Sequence, residues 1–173
     1  MPPYPLTLLT FSSLAELYQH YIQEFVEASP ITSICGCKIY CYEHHFVHMV
    51  KLFGPEHARL EFSKERQRIM ETTVGFGLYE HEQRRAVRLL MALETLRSPD
   101  FVARTPNLVT ADRAFIKEFT CSQYPYMVVL VRKEKSILTL CTGQPTRRRN
   151  IKQWMAGEIL FPKTPQPPVE VAV

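Results

Sequence analysis

The sequence predicts an α+β fold in which N-terminal helices pack on a C-terminal antiparallel β-sheet. Three observations predict it. Apolar residues recur at helical spacing in the N-terminal part, β-rich runs joined by short turns fill the last third, and helices precede strands along the chain. The 173 residues, 46% hydrophobic and 22% charged, have the size and composition of one globular domain, which excludes disordered and fibrous classes. The longest apolar runs, such as 126–131, fall far short of the roughly 20 residues that span a bilayer, so no membrane association is expected.

Residues 12–28 form the first expected helix. Leu14, Leu17, Tyr18, Tyr21, Ile22, Phe25 and Val26 make one apolar face, and Ser13 with Glu16 is a capping-box pair. Ser29-Pro30 stops this helix, because the residue before a proline leaves helical geometry. Residues 32–42 read as a strand that turns Cys35, Cys37, Ile39 and Cys41 to one side and Ile34, Gly36, Lys38, Tyr40 and Tyr42 to the other. A helical turn over 44–53 ends at Gly54-Pro55; a short strand at 59–62 and a helix at 63–72 follow, interrupted by Gly75 and Gly77. Residues 79–97 form a second long helix, with Arg84, Arg85 and Arg88 on or near its outer face, closed by Ser98-Pro99-Asp100. In the last third, 115–119, 126–132 and 137–141 are strands of an antiparallel meander. Residues 142–146 leave the third strand, a short helix falls at 151–155, and a proline-rich stretch begins at Phe161. The expected organisation is one domain over 1–161 and an extended tail over 162–173.

No secretory leader is expected from the first residues, which lack a basic start, and five cysteines are an odd number for a disulfide scaffold. A reducing, cytoplasmic setting is the expectation. Two features bear on chemistry. The stretch Glu43-His44-His45-Phe46-Val47-His48-Met49-Val50-Lys51 puts His44 and His48 four residues apart, on one face if helical, with Lys51 adding positive charge. Histidine titrates near neutrality and suits general acid or base work; which of His44, His45 and His48 fills that role depends on the orientation of the turn. The second feature is charge. Between Arg113 and Lys152 stand nine basic residues (Arg113, Lys117, Arg132, Lys133, Lys135, Arg147, Arg148, Arg149 and Lys152) against Glu118 and Glu134, a net of +7 that leaves −3 for the rest of the +4 chain. Such a basic segment is a footprint of nucleic-acid binding. Thr142, Gln144, Thr146 and Arg147 directly after a strand offer hydroxyl, amide and guanidinium groups to phosphate oxygens, and Tyr124, Tyr126 and Trp154 are either base-stacking or packing aromatics.

Cys35, Cys37 and Cys41 with His44 form a zinc-like inventory, but the usual Cys-x-x-Cys spacing is absent and buried thiols explain the same row, so no metal or cofactor is expected. Phosphate-cradling glycine loops, Gly-x-Ser-x-Gly elbows and His-Glu-x-x-His motifs are missing, and acidic residues are scattered. The remaining His, Lys, Arg and Thr are the inventory of metal-independent RNA cleavage, in which a base takes the 2′-hydroxyl proton, cations hold the phosphate and an acid protonates the leaving oxygen.

Phe46-Val47-His48-Met49, the helix ending Leu96-Arg97-Ser98-Pro99-Asp100-Phe101-Val102, and the paired strands 126–132 and 138–142 closing on Thr142 occur in one order. In that order the chain resembles phage-associated nuclease-like proteins of the barnase/EndoU/colicin/RelE-like (BECR) ribonuclease fold group, over about residues 38–149. It departs from them in carrying Met49 for the usual leucine, and Lys51 after Val50 where a glycine often follows. The resemblance implies His48 as general acid or base, Lys117 and Arg147 as phosphate-binding cations and Thr142 as a substrate contact. Lys51, Arg132, Lys133, Gln144, Thr146, Arg148 and Arg149 are the further expected nucleic-acid contacts. RNA is the expected partner, with a neutralising antitoxin or immunity protein if the chain is a toxin of a phage or mobile element. Two other readings stand beside this one: a non-catalytic module binding nucleic acid or an acidic protein on the same basic sheet, and a zinc-stabilised interaction protein.

Overall fold

The computed structural model describes residues 14–46, 49, 80–105, 111–119 and 125–162. Within them the fold is α+β, as the order of elements predicts. Helix α1 spans Leu14–Tyr21 and widens into a π-helical stretch, Ile22–Glu27, before Ser29-Pro30. Helix α2 spans Glu80–Arg97 and stops at Ser98-Pro99-Asp100. The strands are β1 (Ile31–Thr32), β2 (Lys38–Tyr40), β3 (Phe101–Arg104), β4 (Arg113–Glu118), β5 (Tyr126–Glu134), β6 (Ile137–Thr146) and β7 (Ile159–Phe161), with a short helix α3 (Ile151–Trp154) before β7. The expected elements at 59–62 and 63–72 and the tail beyond 162 lie outside the described residues. Among those described, no helix is long and apolar enough to cross a membrane.

All seven strands join one sheet in the order β1-β2-β6-β5-β4-β3-β7. The meander β3-β4-β5-β6 is antiparallel throughout, as its short connections require. Strand β3 is not among the expected strands, and three further features differ from the expectation. The single strand over 32–42 is a hairpin, β1 and β2, because Ser33–Cys37 turn back through Gly36 at φ 82°, a conformation glycine adopts without steric penalty. Strand β2 lies parallel to β6, so the sheet is mixed. Strand β7, which the sequence does not predict and which ends where the proline-rich stretch begins, pairs with β3 at the sheet edge.

The sheet is buried on two faces, which is why β5 reads as a continuous apolar run rather than an alternation. Phe115, Met127, Val129, Val131 and Leu140 pack against Leu89, Ala92, Leu93 and Leu96 of α2, together with Leu17, Tyr21 and Phe25. Ala114, Ile116, Val128 and Leu130 face the opposite way and are covered by Ile151, Trp154 and Met155 around α3. The inner face is thus a thick helical layer, the outer face a thin one.

A register shift between Leu130 and Val131 sets which side chains of β6 reach the outer face. Leu130 pairs with Thr142 and Val131 with Leu140, so Cys141 is an extra residue bulged into β6. Side chains alternate strictly along a strand, so without the bulge Thr142, Gln144 and Thr146 would follow Leu140 onto the inner face. With it they join Leu130, Val128 and Tyr126 on the outer face.

Candidate nucleic-acid interface

Thr142, Gln144 and Thr146 lie within β6, not beyond its end, paired with Leu130, Val128 and Tyr126. The sequence missed this because Gly143 and Pro145 read as turn residues; both sit on the β6 positions opposite Val129 and Met127. Thr142 and Gln144 are half-buried, whereas Thr146 is buried and its hydroxyl donates to the Gln144 carbonyl at 3.5 Å. The strand then delivers Arg147, Arg148 and Arg149, all exposed, into a single helical turn, Arg148–Asn150, ahead of α3.

At this end of the sheet Arg148 donates to Glu118 at 2.8 Å, and the Tyr126 hydroxyl, directly across from Glu118, is bonded to the same carboxylate. Asp100 accepts the Glu118 backbone N–H at 2.7 Å. Burial first, and then the Glu118 charge, raises the Tyr126 phenol above its ordinary range, while Arg148 pulls the other way. The Tyr126 oxygen therefore stays protonated at neutral pH and acts as a donor. The sequence does not single out Glu118, Asp100 or this role of Tyr126; the available signal is that Glu118 is one of two acids in the basic window.

Arg132 and Lys133 are exposed at the other end of β5, with Arg132 3.8 Å from Glu134 and the Lys133 backbone N–H bonded to Asp112 at 2.5 Å. Arg132 lies six positions along the strand from Tyr126, about 20 Å at the usual rise per residue. The basic window is therefore two poles rather than one patch. Two of its nine cations are engaged within the fold, Arg113 half-buried and Lys117 fully buried. The Arg113 guanidinium donates to the Cys37 sulfur at 3.2 Å. Lys117 is 2% exposed and donates to the Ser98 carbonyl at 2.7 Å.

Lys117 shares the inward parity of Phe115 on β4, while Thr142 is outward on β6, so the two lie on opposite sides of the sheet. The expected set of His48, Lys117, Thr142 and Arg147 thus loses Lys117, whose charge serves the core. His48 and Lys51 lie outside the described residues, as does Tyr124. Met49, the sequence neighbour of His48, is buried, and its Cε and Sδ lie 3.0 and 3.5 Å from where a Cβ on Gly143 would stand. Of the other histidines in that stretch, His44 is exposed and stacked on Tyr42, while His45 is buried and its Nδ1 accepts the Tyr42 N–H at 3.3 Å. The structure so distinguishes two residues that the sequence leaves equivalent. Trp154 packs partly against the outer apolar cluster, a covering role.

Cys41 is 2% exposed and its thiol is pushed up to about 12 by burial, as expected of a core thiol. Among the described residues no group of three or more His, Cys, Asp or Glu side chains is gathered where it could hold a metal ion. Comparison of the chain with protein-family models, with curated proteins and with solved structures gave no match.

Proposed function

We propose that this chain binds RNA on the outer face of its sheet and cleaves it without a metal ion, as a toxin-like endoribonuclease of phage or mobile-element type. The observation that carries the reading is the outward row Thr142 and Gln144 running directly into Arg147, Arg148 and Arg149. Hydroxyl and amide groups followed by guanidinium forks match the acceptors of a phosphodiester backbone. In this reading Arg147 stabilises the crowded phosphate and Thr142 contacts the substrate. His48 acts as general acid or base, taking the 2′-hydroxyl proton or protonating the leaving 5′-oxygen. The resemblance to the BECR ribonuclease group supports these roles. A cytoplasmic setting and a neutralising partner belong to this proposal.

The burial of Lys117 favours a second reading, a non-catalytic RNA-binding module on the same face, because one of the four expected catalytic groups is committed to the core. One experiment separates the two. Purified protein is incubated with mixed RNA, with and without a chelator, beside His48→Ala and Arg147→Ala. Chelator-resistant cleavage lost in both variants is the expected result. Salt-sensitive RNA retention without cleavage supports the binding module, and neither cleavage nor retention overturns both.

A further inference from the structure

Four of the five cysteines fall within the described residues, and two of them occupy one turn. Cys35 and Cys37 are half-buried, on either side of Gly36, at the turn joining β1 to β2. The turn is held by backbone bonds: Gly36 N–H to the Ser33 carbonyl and Ser33 N–H to the Cys37 carbonyl, both 2.9 Å, and Ile34 N–H to the Arg97 carbonyl at the end of α2, also 2.9 Å. The Cys35 thiol reaches the Ser33 hydroxyl oxygen at 3.3 Å, and Cys37 follows two residues on in the same turn. The Arg113 guanidinium donates to the Cys37 sulfur at 3.2 Å. Apart from its two chain neighbours, no described residue lies within 4 Å of where a Cβ on Gly36 would stand, and nearby Ile34 is 63% exposed. Cys35 and Cys37 pack on the edge of the core yet remain partly exposed, whereas Cys41 is sealed inside it.

We propose that Cys35 and Cys37 form a redox-active dithiol site that takes low-molecular-weight disulfides as substrate, with Cys37 attacking and Cys35 resolving. Cys37, having lost its proton to solvent, attacks one sulfur of the disulfide RSSR. An S–S bond forms between Cys37 and that sulfur, and the second half leaves as a thiolate that takes up a proton. Deprotonated Cys35 then attacks the Cys37 sulfur and expels the remaining half as its thiol. The dithiol and RSSR become a Cys35–Cys37 disulfide and two RSH, with two electrons passing from the protein to the substrate.

Each assignment follows from the geometry. Arg113 touches the Cys37 sulfur and so stabilises negative charge there, which makes Cys37 the attacking group. Burial and the Cys35 thiol push the Cys37 thiol above its ordinary range and Arg113 pulls it back, so acidity alone does not drive the reaction. Proximity does: the resolving thiol stands two residues away in the same turn, and an intramolecular second step proceeds at a high effective concentration. A disulfide needs Cα atoms about 4.4–6.8 Å apart, which residues two apart in a turned segment satisfy.

The test uses the full chain and oxidised glutathione as probe, followed by alkylation of remaining thiols, intact mass and peptide mapping. Wild type is expected to gain a Cys35–Cys37 disulfide and no lasting glutathione adduct at either position. Cys35→Ser is expected to trap glutathione on Cys37, and Arg113→Gln to slow the first step several-fold while its circular dichroism stays native. Glutathione that persists on Cys35 or Cys37 of the wild type overturns the resolving role. A pair that remains fully alkylatable while Cys141 reacts overturns the site. Neither result depends on RNA binding or cleavage.

Discussion

Burying an ammonium group is tolerated only where its protons find acceptors, and Lys117 meets that condition at the C-terminal end of α2. Its Nζ lies 2.7 Å from the Ser98 carbonyl, where helix-end carbonyls carry partial negative charge. Lys117→Met keeps a long side chain among Phe115 and Phe119 but removes that donor. Leaving a buried acceptor unsatisfied costs about 1–3 kcal/mol, so denaturant unfolding is expected to show a loss of that order while RNA retention is unchanged. The opposite pattern, native stability with weakened retention, would return Lys117 to the phosphate-binding set. Its inward direction is legible in the sequence, since residues 115, 117 and 119 share one strand face and two of them are phenylalanine. The role of Arg113 is not legible, because its partner Cys37 lies 76 residues away along the chain.

At the scale of elements, β6 holds the fold and the candidate interface together. Its inward positions close the helical side, and the bulge at Cys141 turns the next three even-numbered positions outward. Gly143 is the inward position where backbone and neighbouring side chains come closest: a Cβ there would stand 2.6 Å from Met127 Cε and 3.0 Å from Met49 Cε. Both methionines are fully buried, so Gly143→Val forces repacking of a filled region. The expected cost is about 1–3 kcal/mol, read as a lowered urea midpoint at unchanged slope, with Gly143→Ala milder because methionine ends adapt. Equal stability of Gly143→Val and wild type would show that the contact with Met49 does not constrain β6.

At the scale of the whole molecule, the two basic poles make affinity depend on RNA length. A short single-stranded oligonucleotide engages the Arg147–Arg149 pole, and a longer one also reaches Arg132 and Lys133, about 20 Å away along β5. Each phosphate contact removed lowers the slope of log K against log salt by about 0.7 for single strands. Arg149→Ala is therefore expected to reduce that slope for short and long RNA, and Arg132→Ala only for long RNA, in fluorescence anisotropy at several salt concentrations. Equal losses on the short oligonucleotide would mean that the poles act as one patch.

The α+β class, the end of the first helical segment before Ser29-Pro30, the span of α2, and β4, β5 and the first half of β6 can be read from the amino-acid sequence. Those features rest on local periodicity, prolines and turn residues, which act between near neighbours in the chain. The parallel pairing of β2 with β6, the return of β7 to β3, and the bulge at Cys141 that faces Thr142 and Gln144 outward emerge only when the strands assemble. The same holds for the pairing of Arg113 with the Cys37 sulfur and of Lys117 with the Ser98 carbonyl. Each of these depends on a partner distant in sequence: register is fixed by which neighbouring strand a residue meets, and a cation's role by which acceptor it finds.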